Sequence, residues 1–132
     1  MDYEHLADTR RIQEYVTNMR PAFNKRAVFS DETENYRTPA EPEPGDVVNI
    51  RIRTKSNNVD FVYLVAGNLR QRMKLLDTKD GFDYYGTDIK LGAQSIRYFF
   101  EVISGKIQCY YNKMGITKEI DEHYSFGIVP GF

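Results

Sequence analysis

SIRYFFEVISGKIQCYYN, residues 95–112, reads as one complete β-hairpin with its register written into it. With Ser104-Gly105 as a two-residue turn, Ile103 faces Lys106, Val102 faces Ile107, Phe100 faces Cys109 and Tyr98 faces Tyr111. The last three pairs are apolar or aromatic and share a face. The opposite face pairs Glu101 with Gln108 and Phe99 with Tyr110, and a slip of one residue would mix the two sets. One side of this hairpin is therefore expected in a core, while the other shows water an aromatic pair beside a polar pair.

The same period of two runs through the rest of the chain. Val48, Ile50 and Ile52 alternate with Asn49, Arg51 and Arg53 over Val47–Thr54, a half-buried strand. After a turn at Ser56-Asn57-Asn58, the stretch Val59–Ala66 is a second strand, apolar on both faces: Val62, Leu64 and Ala66 on one, Phe61, Tyr63 and Val65 on the other. Such a strand is either covered twice or offers its second face to a partner. Ala27-Val28-Phe29 reads as an edge strand, and residues 31–46, rich in proline and glutamate, as a solvated loop. Gly67–Arg70 interrupts the pattern, Met73–Leu76 is a further short strand, and Asp77–Gly81 is a turn by chemistry. Phe82–Lys90 is a strand in which Gly86 signals a bulge, so the pattern leaves open which of Tyr84 and Tyr85 points outward. Ile116–His123 is a polar connection and Tyr124–Val129 the last strand. Short strands at regular spacing, with no alternating helices, predict an all-β antiparallel sandwich.

Ahead of it, Leu6, Ile12, Val16 and Met19 fall at helical spacing with Tyr15 beside them, and Pro21 ends the run. That predicts an amphipathic N-terminal α-helix over Tyr3–Arg20, capped by Asp2 or Asp8, whose narrow apolar stripe must dock on something. Phe61 and Tyr63 are the expected landing site.

The chain has 132 residues, enough for one domain with a real core. Its 18 basic and 19 acidic residues nearly cancel, so nothing global attracts nucleic acid or an anionic membrane. A single cysteine, Cys109, excludes an intrachain disulfide and a multi-cysteine metal site, and its inward position marks it as an inert thiol. No apolar run is long enough to span a bilayer, and the charged start in place of a signal peptide leans toward the cytoplasm without fixing the location.

Catalytic chemistry has little to draw on. His5 and His123 lie in a helix and a polar connection, the glycines are scattered with no phosphate loop, and the carboxylates sit in turns. No catalytic residue, cofactor or metal ligand is expected. Arg51, Arg53, Lys55, Arg70, Arg72 and Lys74 together resemble a single-strand nucleic-acid stripe, but the charge balance argues against it. Sugar binding fits better, because the apolar C–H face of a pyranose stacks on an aromatic ring while polar neighbours take the hydroxyls. Phe99 and Tyr110, with Glu101 and Gln108, form the first candidate platform, followed by whichever of Tyr84 and Tyr85 faces out.

Ala27-Val28-Phe29, IRIRTKSNNVDFVYLVAG (50–67), FDYYGTDIK (82–90) and IRYFFEVISGKIQCYYNKMG (96–115) resemble, in this order, the N-terminal domain of neopullulanase, cyclomaltodextrinase and maltogenic amylase enzymes, carbohydrate-binding module family thirty-four. Arg51–Lys55 and Arg97-Tyr98-x-Phe100 before Ser104-Gly105 are the most specific parts. The resemblance implies an immunoglobulin-like sandwich that binds α-glucans such as starch or maltodextrins without being catalytic itself. It also implies a downstream barrel of glycoside hydrolase family thirteen in the same polypeptide and, in some relatives, a homodimer. On this reading residues 1–26 are a helical extension, 27–127 the carbohydrate-binding module and 128–132 the start of a linker. The extension has no counterpart in the short N-terminus expected of the family. Gly67-Asn68-Leu69-Arg70 lacks the aromatic and acidic residues that dimerising relatives place near a partner's substrate. The alternative function is a structural or dimerisation domain that packs on the barrel without holding sugar itself.

Overall fold

Alternation of apolar and polar side chains forces each strand to bury one face, and two such sheets solve the problem by closing on each other. The computed structural model describes residues 22–131. In chain order its strands are β1 (Arg37–Thr38), β2 (Val47–Lys55), β3 (Phe61–Ala66), β4 (Leu69–Arg72) and β5 (Lys74–Lys79), then β6 (Phe82–Lys90), β7 (Ile96–Ser104), β8 (Ile107–Asn112), β9 (Gly115–Thr117) and β10 (Phe126–Ile128). One sheet has the order β1-β2-β6-β5 and the other β4-β3-β7-β8-β9, with β10 paired to β7. The pairings are antiparallel throughout. The predicted all-β sandwich is the observed fold. The predicted N-terminal helix, with His5, lies outside the described residues.

The core is made by the residues the alternation selects. Val48, Ile50 and Ile52 of β2, Val62 and Leu64 of β3, and Tyr98, Phe100 and Val102 of β7 are all 0% exposed, each contributing roughly 1.5–3 kcal/mol relative to an exposed position. Phe126 of β10 closes one end. Its ring stacks on Tyr98 at 5.3 Å and meets Phe100 edge-on at 5.9 Å.

The central hairpin keeps its predicted faces but not its predicted register. Ser104 opposes Ile107, Val102 opposes Cys109, Glu101 opposes Tyr110 and Phe100 opposes Tyr111. The loop is thus Gly105-Lys106, with Gly105 at φ +60°, the first central position that a type II′ turn reserves for glycine. Because the shift is by two residues, every side chain stays on its original face.

Other expectations change: the interruption at Gly67–Arg70 and the polar connection at Ile116–His123 contribute to β4 and β9, and the 31–46 loop contains β1. Residues 27–29 are no strand: a 3₁₀ turn, Lys25–Ala27, leads into a single bridge between Phe29 and Arg53. Asp77–Lys79, expected as a turn, belongs to β5, and the reversal contracts to Asp80-Gly81, both at positive φ (55° and 83°). The bulge sits not at Gly86 but on the facing strand, where the register slips between Leu75 and Asp77 and leaves Leu76 as the extra residue. Leu76 then lies over Gly86, where a Cβ would run into its side chain.

Arg37 of β1 ties the sheets together from inside. Only 7% exposed, it donates from Nη1 to the Gly127 carbonyl (2.8 Å) and the Tyr98 hydroxyl (3.3 Å), and from Nη2 to the Ala40 carbonyl (2.9 Å). Glu32 completes the set, 3.5 Å from Nη1 and accepting from the Gly127 N–H at 2.9 Å.

Burial pushes the phenols of Tyr98 and Tyr111 above the ordinary tyrosine value of 10.0, with Arg37 partly opposing the rise at Tyr98. Between the unfolded and folded values the native state holds more protons than the unfolded chain, so stability must fall as pH rises there. Melting temperature should accordingly hold up to about pH 10 and decline above it. Thermal melts of wild type and Tyr98→Phe across that range check this, the variant declining less steeply.

Candidate functional site

Each sheet presents an outer face, and the two are built differently. On the six-stranded sheet, β7 and β8 bring together all four residues of the expected sugar platform. Phe99 meets Tyr110 edge-on at 5.9 Å, and Gln108 Nε2 donates to Glu101 Oε2 at 2.6 Å. The face is not open, however. Arg70 reaches across from β4, its Nη2 2.6 Å and its Nε 2.8 Å from Glu101 Oε1. Its guanidinium also covers the Tyr63 ring at 3.7 Å. Both Glu101 oxygens are thereby occupied, and Phe99 and Glu101 are left 7% and 5% exposed. The hydrogen bond to Glu101 raises the Arg70 pKa, and burial raises that of Tyr110. Arg72 lies over Phe61 at 4.7 Å, and Phe61 stays 38% exposed.

On the four-stranded sheet the outward residues of β2 and β6 are Arg51, Arg53 and Lys55 beside Phe82 and Tyr84. Tyr85 opposes the fully buried Ile52 and packs against the core, so Tyr84 is the outward tyrosine. Arg53 sits over Phe82 at 4.4 Å and Phe29 at 5.5 Å. Arg51 donates to the carbonyls of Asn35 (3.1 Å) and Glu34 (2.6 Å), to Thr38 Oγ1 (2.8 Å) and to Asn49 Oδ1 (2.8 Å). These two cations are spent pinning residues 29–38 against β2. The pinned loop delivers Tyr36, whose ring meets Phe29 edge-on at 5.1 Å. Burial raises the Tyr36 pKa, with Arg53 opposing, so its hydroxyl stays protonated at neutral pH and can both donate and accept.

Between the loop and the β5 bulge lies an open cleft of about 400 Å³, lined by Asn35, Tyr36, Arg51, Leu76, Asp77, Lys79 and Tyr84. Among the described residues Asp77 and Lys79 form no ion pair. Two tyrosines and a leucine supply apolar surface, while an amide, a carboxylate and an ammonium ring it. A cleft of this composition has the groups needed to stack and hydrogen-bond a neutral polyhydroxylated ligand. The sequence pattern pointed to Tyr84 as one of two alternatives and missed the rest. The one signal for Tyr36 was an aromatic inside a loop otherwise read as plain solvation.

The basic residues divide between the sheets, Arg51, Arg53 and Lys55 on one outer face and Arg70 and Arg72 on the other, so they form no continuous stripe for a nucleic-acid strand. Cys109 is 4% exposed and burial raises its thiol pKa, which keeps it protonated and unreactive. Among the described residues no group of three or more His, Cys, Asp or Glu is placed to hold a metal ion, and no helix is long and apolar enough to cross a membrane.

Residues 23–129 match the family model described as "Alpha amylase, N-terminal ig-like domain". The chain belongs to this family. The sandwich described above is thus the immunoglobulin-like domain found in amylolytic enzymes. A cyclomaltodextrinase of Thermoanaerobacter pseudethanolicus is 29% identical over 111 residues, which cover 78% of this chain and 19% of that protein. The fold recurs in solved structures, among them these two. One is a cyclomaltodextrinase (TM-score 0.68, 22% identity, 79% of this chain and 19% of that one), the other the maltogenic amylase from S. marinus (TM-score 0.63, 13% identity, 80% and 15%). The amylase N-terminal domain seen here therefore spans about a fifth or less of the length of these relatives.

Proposed function

We propose that this domain is a non-catalytic α-glucan-binding module of an amylolytic glycoside hydrolase, holding a starch or maltodextrin chain near a catalytic barrel in the same polypeptide. The observation that carries the reading is the Tyr36–Tyr84 cleft, open and amphipathic on a family domain whose relatives are named cyclomaltodextrinase and maltogenic amylase. Tyr84 stacks a pyranose, Tyr36 and Asn35 bond its hydroxyls, and Asp77 and Lys79 take those at the rim. Binding of this kind is weak per site and gains its effect by raising the local concentration of substrate around the barrel.

A second reading has its own support. The outer face of the six-stranded sheet combines Phe99, Tyr63 and Tyr110 with a carboxylate already saturated by Arg70 and Gln108. Saturated polar groups among buried and half-buried aromatics suit packing on a barrel or a second subunit better than taking up hydroxyls.

Titration with maltoheptaose and β-cyclodextrin, followed by amide chemical shifts, separates the two. Shifts should cluster on Asn35, Tyr36, Lys79 and Tyr84, and Tyr84→Ala should weaken binding about tenfold, the loss of one stacked ring. Phe99→Ala with Tyr110→Ala should leave the affinity unchanged. Shifts on Tyr110 and Gln108 that vanish in that double variant would return the site to the hairpin. No shifts at millimolar sugar would leave the packing role.

A further inference from the structure

The last strand carries a glycine that the fold does not ask for. Gly127 lies in the middle of β10 between Phe126 and Ile128, both turned into the core, so position 127 faces outward. Its φ is not positive and a Cβ there would meet nothing within 4 Å, so neither backbone nor packing requires the missing side chain. A glycine inside a strand weakens it, and often marks a place where a ligand comes close to the backbone. Over Gly127 lies an open cavity of about 570 Å³. Arg97, which opposes Gly127 on β7, lines it with Lys113, His123, the hydroxyls of Ser95 and Ser125, and the ring of Tyr124, 38% exposed; among the described residues no carboxylate does. We propose that this cavity binds a phosphate monoester of a sugar, the phosphate held over Gly127 by Arg97, Lys113 and His123 and the sugar ring laid against Tyr124.

The lining is a set of donors. Arg97 presents a guanidinium, Lys113 an ammonium and His123 a ring N–H, so the complementary ligand is rich in acceptors and negative. Among the described residues Arg97 forms no ion pair. Glu32 approaches Lys113 Nζ at 3.4 Å but also Arg37 Nη1 at 3.5 Å, and one carboxylate between two cations leaves that group positive. Asp121 is turned to the backbone, accepting the His123 main-chain N–H at 3.1 Å, and Glu122 lines a neighbouring dent beyond Arg97. The Lys113 N–H donates to the Tyr124 carbonyl at 2.9 Å, and the His123 ring meets that of Tyr124 edge-on at 5.5 Å, so the donors and the stacking ring are held as one unit. A neutral glucan would bring no counter-charge to Arg97 and Lys113. The sugar half of the proposal rests on the glucan-binding reading above; the phosphate half does not, and β10 belongs to the opposite sheet from the Tyr36–Tyr84 cleft.

Titration of the full chain at low salt with glucose 6-phosphate, inorganic phosphate and glucose, followed by amide chemical shifts, tests this. Glucose 6-phosphate should move the amides of Arg97, Lys113, His123 and Gly127. Inorganic phosphate should move the same amides with about tenfold weaker affinity, and glucose should move none. Gly127→Val places a good strand former on the cavity floor and should abolish binding while the remaining spectrum shows an intact fold. Arg97→Ala, at an exposed position, should weaken glucose 6-phosphate about tenfold and decides the matter if valine disturbs β10. No shifts with glucose 6-phosphate, or unchanged affinity in both variants, overturns the proposal. Equal affinity for phosphate and its sugar ester overturns the sugar half. Shifts from maltoheptaose at Gly127 would make this a neutral sugar site and overturn the phosphate half, whereas the presence or absence of its shifts at Tyr84 tests only the cleft.

Discussion

Arg37→Ala should lower the unfolding free energy by about 3 kcal/mol, far more than removal of a surface arginine. The guanidinium serves groups from separate parts of the chain: the Ala40 carbonyl in the loop after β1, the Gly127 carbonyl on β10, and the Tyr98 hydroxyl on β7. Truncation removes donors while those acceptors stay inside. An acceptor left buried and unpaired costs about 1–3 kcal/mol, and Tyr98 is 0% exposed. Glu32 also loses its cation, though at 36% side-chain exposure water compensates part of that loss. Arg37→Lys keeps the charge but cannot reproduce the planar fork, so it should fall between wild type and alanine. In urea titrations the midpoint should drop with the slope unchanged, since the same surface is exposed on unfolding. A loss below about 1 kcal/mol would mean that water replaces the guanidinium and that β10 needs no staple.

Arg37 also shows what a sequence withholds. It sits in a stretch of proline and glutamate that reads as solvated loop, and the acceptors that bury it come from 61 and 90 residues away. Local pattern cannot announce a partner at that separation. Where burial follows from alternation the reading succeeds, as at Val48, Ile50 and Ile52 of β2. The hairpin lies between these cases. Alternation assigns each residue of β7 and β8 to its face, but registers two residues apart satisfy it equally, and the positive φ of Gly105 selects one. β5 is legible only in its first half, within the expected strand Met73–Leu76, because all six of its residues are exposed on an edge and its second half carries turn-forming residues. The expected sugar platform met the same limit as Arg37: Phe99, Glu101, Gln108 and Tyr110 do share a face, but Arg70 from β4 closes over it. The cleft at Tyr84 depends on a loop pinned by Arg51 and on a bulge one strand away, neither of which leaves a periodic trace.

That bulge leads to the second large effect. Gly86→Val should destabilise the domain by about 2 kcal/mol and also weaken glucan binding at the cleft. Gly86 is not needed for an unusual backbone angle; it is needed for space, because Leu76, the extra residue of β5, occupies the volume a side chain at 86 would fill. Overpacking costs about 1–3 kcal/mol when neighbours must leave their rotamers. Here the neighbour has somewhere to go, since Leu76 is 52% exposed and lines the cleft beside Tyr84. Displacing it outward relieves the clash and fills the space proposed for the pyranose. The two losses should therefore be coupled through one side chain. Leu76→Ala in the Gly86→Val background should recover most of the stability and reopen the cleft, whereas two independent effects would simply add. Denaturation midpoints and maltoheptaose affinities of the two single variants and the double variant decide between these outcomes. Recovered stability without recovered binding would show that Leu76 is itself part of the sugar surface.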